Sequence, residues 1–66
     1  MIQTFENTKF GEVTVRNIVI DVDGTNLEEG INISVIGSEE YVELLGYQDI
    51  EDMTNEDVEE ILFENL

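Results

Sequence analysis

The amino-acid sequence predicts a small α+β domain, with an antiparallel sheet of two or three strands followed by two short acidic helices. Three observations carry this. β-branched residues dominate from Glu12 to Val22, and apolar and polar residues alternate again from Ile31 to Val35, which is the pattern of half-buried strands. Beyond Ser38, apolar residues recur at helical spacing, first Tyr41, Leu44 and Leu45, then Val58, Ile61, Leu62 and Leu66. Ser38 and Thr54 stand where each of these helical stretches needs an N-cap.

Taken in order, Met1 to Phe5 reads as a short edge strand, and Asn7, Thr8 and Lys9 as turn formers. Val13 and Val15 alternate with Thr14 and Arg16, after which the apolar parity moves to Ile18, Ile20 and Val22. A one-residue shift carries side chains to the other sheet face, so a bulge or break is predicted near Asn17. Asp23-Gly24 is a tight-turn signal, with Asn26 to Gly30 lengthening the loop. Ile31, Ile33 and Val35 form a strand with one buried face, and Gly37 ends it.

Ser38 then caps a helix whose first turn holds Glu39 and Glu40, where the helix dipole favours anions. Tyr41, Leu44 and Leu45 give its apolar stripe, Gly46 its C′ position, and Tyr47 to Asp52 a connector. Thr54 caps the final helix, predicted from about Asn55 to Asn65. Asp57 occupies the third helical position in the manner of a capping box, and Met53 is placed to staple against Val58. The outer face of this helix carries Glu56, Glu60 and Glu64 at i, i+4 and i+8. Each such like-charge pair costs a helix roughly 0.2–0.5 kcal/mol, which hints that the acidic face is wanted.

Sixty-six residues make one domain, β-rich over 1–37 and acidic and helical over 38–66. A chain of this size buries only about 60% of its unfolded surface, so a homodimer is a natural way to bury more. With no Cys and no His there is no disulfide, no thiolate or imidazole metal site and no usual catalytic base or nucleophile. The expectation is a protein without catalytic residues, cofactor or metal. No apolar run approaches the roughly 20 residues that span a membrane, and the chain reads as cytoplasmic.

The net charge of −15 comes from 17 acids against Lys9 and Arg16. Eleven of those acids fall in the 28 residues after Ser38, yet the helical spacing there argues for a folded surface, not a disordered tail. Direct binding to nucleic acid or to an anionic membrane needs Lys and Arg and is disfavoured. The field suits a cationic partner, of which the commonest large example is a nucleic-acid-binding groove. The alternative is that the acidity serves solubility alone.

Asp21-Val22-Asp23-Gly24-Thr25, following Ile18-Val19-Ile20, resembles the nucleophile motif of haloacid-dehalogenase-type phosphatases, whose first Asp becomes phosphorylated. Those enzymes need a larger α/β domain and a placed Lys, so the motif is read here as a hairpin turn. The same residues resemble a calcium loop, but counting from Asp21 the sixth residue is Asn26 and the twelfth Asn32, where Gly and Glu are required. That leaves at most weak divalent binding by clustered carboxylates.

Ile2 to Val13, and Val35-Ile36-Gly37 through Val42-Glu43-Leu44-Leu45-Gly46-Tyr47, are similar to the Bro-N domain of phage antirepressors. That resemblance implies a phage origin and DNA binding. The family's basic residues are missing here, so the implied role becomes a truncated module that binds a regulator protein. The layout of strand, acidic turn, strand and a segment reading Glu40-Tyr41-Val42-Glu43-Leu44-Leu45-Gly46 also looks like the small uracil-DNA glycosylase inhibitors of certain phages. There a helix aromatic traps an apolar side chain of the enzyme, and Tyr41 would be the matching position. Anti-CRISPR and anti-restriction proteins share the small acidic character.

These readings converge on a phage or mobile-element inhibitor that imitates DNA in the groove of a basic host enzyme. The candidate partner-binding residues are Glu39, Glu40, Tyr41, Glu43, Tyr47, Glu56, Glu59, Glu60, Phe63 and Glu64.

Overall fold

The computed structural model describes residues 1–66. Four strands, β1 (Ile2–Thr8), β2 (Gly11–Asp21), β3 (Leu27–Val35) and β4 (Tyr41–Leu45), precede one helix, α1 (Asn55–Asn65). The strands form a single antiparallel meander in the order β1-β2-β3-β4. The sequence-based expectation of two or three strands and two helices is therefore corrected. The segment after Ser38 adds a fourth strand, and only one helix forms.

The reason lies in pairing across the sheet. Tyr41 to Leu45 satisfies two periods at once: Tyr41, Leu44 and Leu45 mark a helical stripe, while Val42 and Leu44 mark a strand with one buried face. A five-residue helix is too short to offset its nucleation cost, whereas β3 offers a free edge. Ile31, Asn32, Ile33 and Ser34 pair with Leu44, Glu43, Val42 and Tyr41, which buries Val42 and turns Leu44 toward the core. Ser38 is consequently not a helix cap: its hydroxyl accepts the Glu40 amide at 3.1 Å within the turn leading to β4.

The predicted bulge near Asn17 is also corrected. β2 pairs with β3 without interruption from Val13↔Val35 to Asp21↔Leu27. Its apolar residues simply change faces, Val13 and Val15 toward the core and Ile18 and Ile20 away from it. The register shift falls instead in β1, between Phe5 and Thr8. There Asn7 takes φ 63°, a left-handed conformation that Asn tolerates better than most residues. The β2–β3 loop runs over residues 22–26, longer than a two-residue turn, and takes in Asn26 but not the residues from Leu27 to Gly30, which belong to β3.

Phe5, Val13, Val15, Ile31, Ile33 and Val42 form the core face of the sheet. Ile50, Met53, Val58 and Leu62, from the chain beyond β4, close over it. Polar ties hold that cover in place. The Gln3 side-chain amide donates to the Ile50 carbonyl at 3.2 Å, and the Asn55 amide donates to the Glu6 carbonyl at 2.8 Å. Helix α1 begins as the sequence predicts. The Thr54 hydroxyl accepts the Asp57 amide, and the Asp57 carboxylate accepts the Thr54 amide at 2.9 Å. The other sheet face has no cover. Gly30 is required where β3 and β4 meet, because a Cβ there would overlap the Leu44 carbonyl and stand 2.8 Å from the Leu45 Cα. No helix is long and apolar enough to cross a membrane.

Candidate functional site

The ten predicted partner-binding residues separate into two groups and one outlier. The first group lies on α1. Val58 and Leu62 turn into the core, which forces Glu56, Glu60, Phe63 and Glu64 outward. These four and Glu59 line a shallow depression with Lys9, contributed by the β1–β2 turn. Phe63 is 62% exposed, yet its position is defined: its ring meets Phe10 edge-on at 5.0 Å between centroids, and the Lys9 ammonium lies 5.7 Å from the ring centre. Lys9 also donates its backbone amide to Glu59 Oε2 at 2.7 Å.

The second group lies on the uncovered sheet face and its approach turn. Glu39, Glu40, Tyr41 and Glu43 line a second depression with Arg16, Asn32, Ser34 and Ser38. Tyr41 is 60% exposed. It stands on a strand, so the helix-borne aromatic suggested by the layout likeness is not present in that form. Tyr47 belongs to neither group; it follows Gly46 and is 37% exposed. The α1 acids and the Glu39–Glu43 acids thus occupy separate surfaces, because the helix covers one face of the sheet while Tyr41 and Glu43 belong to the other.

Lys9, Arg16, Asn32 and Ser34 were not expected at these surfaces. For Lys9 no local signal exists, since the β1–β2 turn delivers it to a helix fifty residues away. For Arg16 the signal was present: it alternates with Val13 and Val15, whose burial assigns it to the opposite face.

The Asp21–Asn26 turn is held by its own hydrogen bonds. Asp21 Oδ1 accepts the Gly24 amide at 2.8 Å. Asp23 Oδ1 accepts the amides of Thr25 and Asn26 at 3.1 and 2.9 Å and the Thr25 hydroxyl at 3.1 Å, and Asp23 Oδ2 accepts the Asn26 side-chain amide at 2.8 Å. Those bonds, the Thr25 backbone first, hold the Asp23 carboxyl below its ordinary 3.8. The turn's carboxylates are thereby committed to shaping the loop. No group of three or more acidic side chains converges in an arrangement that could hold a metal ion.

What the α1 surface offers chemically is a dense row of hydrogen-bond acceptors with an aromatic among them. Residues 56 to 64 span about 12 Å of helix axis. Four carboxylates in that length give one negative charge per about 3–4 Å, close to the 3.4 Å of a single strand of B-DNA. Comparison with known protein families, characterised proteins and solved structures gives no match.

Proposed function

We propose that this protein is a non-catalytic inhibitor that occupies the nucleic-acid-binding groove of a basic host enzyme by presenting carboxylates in place of phosphates. The observation that carries this reading is the α1 row of Glu56, Glu59, Glu60 and Glu64 around the exposed Phe63. The fold uses Glu59, whose carboxylate accepts the Lys9 amide, but nothing in it requires Glu56, Glu60 and Glu64. Glu56–Glu60 and Glu60–Glu64 are like-charge i, i+4 pairs, Glu64 faces the negative end of the helix dipole, and the last turn carries no basic residue. Carboxylates accept the bidentate hydrogen bonds that Arg gives to phosphate. Phe63 adds an apolar contact that excludes water at the centre of the row.

The targets that fit are enzymes with long basic grooves: a CRISPR effector, a restriction enzyme or a uracil-DNA glycosylase of a phage host. The setting would be the host cytoplasm. The test is inhibition of one representative of each class, with duplex DNA titrated against the protein. Inhibition of at least one, relieved competitively by DNA, supports the reading. Absence of DNA-competed binding to all three contradicts it.

A further inference from the structure

The sheet face turned away from α1 has a composition unlike the rest of the molecule. The register places Thr4, Thr14, Ser34 and Tyr41 in one row across it, Ile2, Arg16, Asn32 and Glu43 in the next, and Ile18, Gly30 and Leu45 in a third. In a chain of 17 acids and two basic residues, these three rows hold one acid, Glu43, and one base, Arg16. Ile2, Tyr41 and Leu45 are exposed on it and Ile18 is half-buried. Only twelve of the 66 residues are buried within the chain, so a face that leaves Ile2, Tyr41 and Leu45 open to water is a substantial loss.

We propose that this face binds a second copy of the chain, forming a symmetric sandwich with its two-fold axis running along β3. The choice of axis follows from what each residue would meet. On the axis a side chain faces its own copy, so large or charged groups are disfavoured there. Within these rows the outer residues of β3 are Ser34, Asn32 and Gly30, three small, uncharged residues; Glu28 follows them only at the solvent edge, past the last pairing with β4 at Gly30↔Leu45. An axis along β2 would oppose two Arg16 side chains, and one along β4 two Glu43 side chains.

Rotation about β3 lays β2 of one copy over β4 of the other. Arg16 then meets Glu43 of the second copy, and the contact occurs twice. Ile18 meets Leu45 and Thr14 meets Tyr41, again twice each. Every row is complementary in size or charge. Two such sheets stack about 10 Å apart and within about 30° of parallel, a gap that Arg and Glu bridge from opposite sides. Both α1 helices remain on the outside, and their acidic rows stay free. The pairing assigns Tyr41 and Glu43 to the dimer, leaving Glu39 and Glu40 at its rim. The interface is three short strands wide, with β1 outside it, at the small end of stable interfaces.

Sedimentation equilibrium of the full chain from micromolar to submillimolar concentration, at physiological salt, tests this without reference to any target. Wild type should sediment as a dimer at the upper concentrations. Arg16→Glu gives two acids at the paired positions and Glu43→Arg gives two bases. Each alone should weaken the dimer by at least roughly tenfold, because like charges now face each other. Mixed one to one, the two variants should recover a heterodimer, since every contact then joins opposite charges. Circular dichroism of each exposed-site variant confirms its fold, and the mixture is internally controlled because neither partner self-associates. A wild type that stays monomeric overturns the proposal. So do single variants that dimerise as wild type does, and so does a mixture that fails to combine.

Discussion

The backbone amide of Lys9 donates to the carboxylate of Glu59 at 2.7 Å, tying the β1–β2 turn to the middle of α1 across fifty residues of sequence. Above that bond the Lys9 ammonium lies over the Phe63 ring, which in turn meets Phe10. The Lys9 backbone thus anchors the acidic helix to the sheet, while its ammonium lies over Phe63 in the depression lined by the glutamates.

Removing that anchor should destabilise the fold modestly. Glu59→Ala deletes a charge-assisted hydrogen bond and should cost about 1 kcal/mol. In a domain of this size that corresponds to a fall in Tm of about 4–8 °C. Glu59→Gln keeps an acceptor and should lose less. Thermal denaturation followed by circular dichroism reads both, and equal losses for Ala and Gln would show that the bond contributes nothing.

Two glycines should respond differently to the same added methyl. At Gly30 it would overlap the β4 backbone at Leu44, and rigid backbone cannot yield. Gly30→Ala should therefore cost at least about 2 kcal/mol and detach β4. Gly24, at φ +90°, has open space around it, so Gly24→Ala meets only the backbone penalty of about 1–2 kcal/mol. Hydrogen exchange on Val42 and Leu44 should rise in the first variant and not in the second.

Because Asp23 is held below its ordinary carboxyl value by the turn it organises, it favours the fold when ionised. A lowered folded value means that this contribution is present above the unfolded value and fades as pH falls through the folded one. Asp23→Asn should therefore lower Tm at neutral pH, and its gap from wild type should narrow as the pH is taken below 3.8. A gap independent of pH would show that the turn needs the side chain's shape and not its charge.

Screening should stabilise the chain. Seventeen acids against two bases repel within one small fold. Raising NaCl from roughly 0.01 M to 0.5 M shortens the Debye length from about 30 Å to a few Å, so Tm should rise across that range. A flat or falling curve would mean the charges are already compensated.

Which parts of this were legible in the sequence follows from how local each decision is. Helix α1 was readable from Thr54, Asp57, Val58 and Leu62, because a capping box and a buried stripe are settled within one segment. So were the Asp23-Gly24 turn and the Ile31–Ile33 alternation. β4 was not, because Tyr41 to Leu45 fits both periods and its pairing with residues 30–34 decides between them. Ile18 and Ile20 read as evidence of a bulge only on the assumption that one face of β2 is buried. The acids of the candidate site were named from composition and spacing. Their division into two surfaces was hidden, because it depends on which face of the sheet each segment reaches.

The acidic row of α1 stands at the centre of the proposed function, and reversing its charge tests it most directly. Glu56→Lys, Glu60→Lys and Glu64→Lys together leave Val58 and Leu62 in the core and exchange one like-charged i, i+4 series for another of the same spacing, so circular dichroism should still show a folded chain. The measurement is the affinity of this triple variant for the inhibited enzyme, with duplex DNA as competitor. Loss of well over tenfold, equivalent to more than about 1.4 kcal/mol, is the predicted result, since lysines would now face the Lys and Arg of the groove. A folded triple variant that binds as tightly as wild type, with DNA unable to displace either, would contradict it.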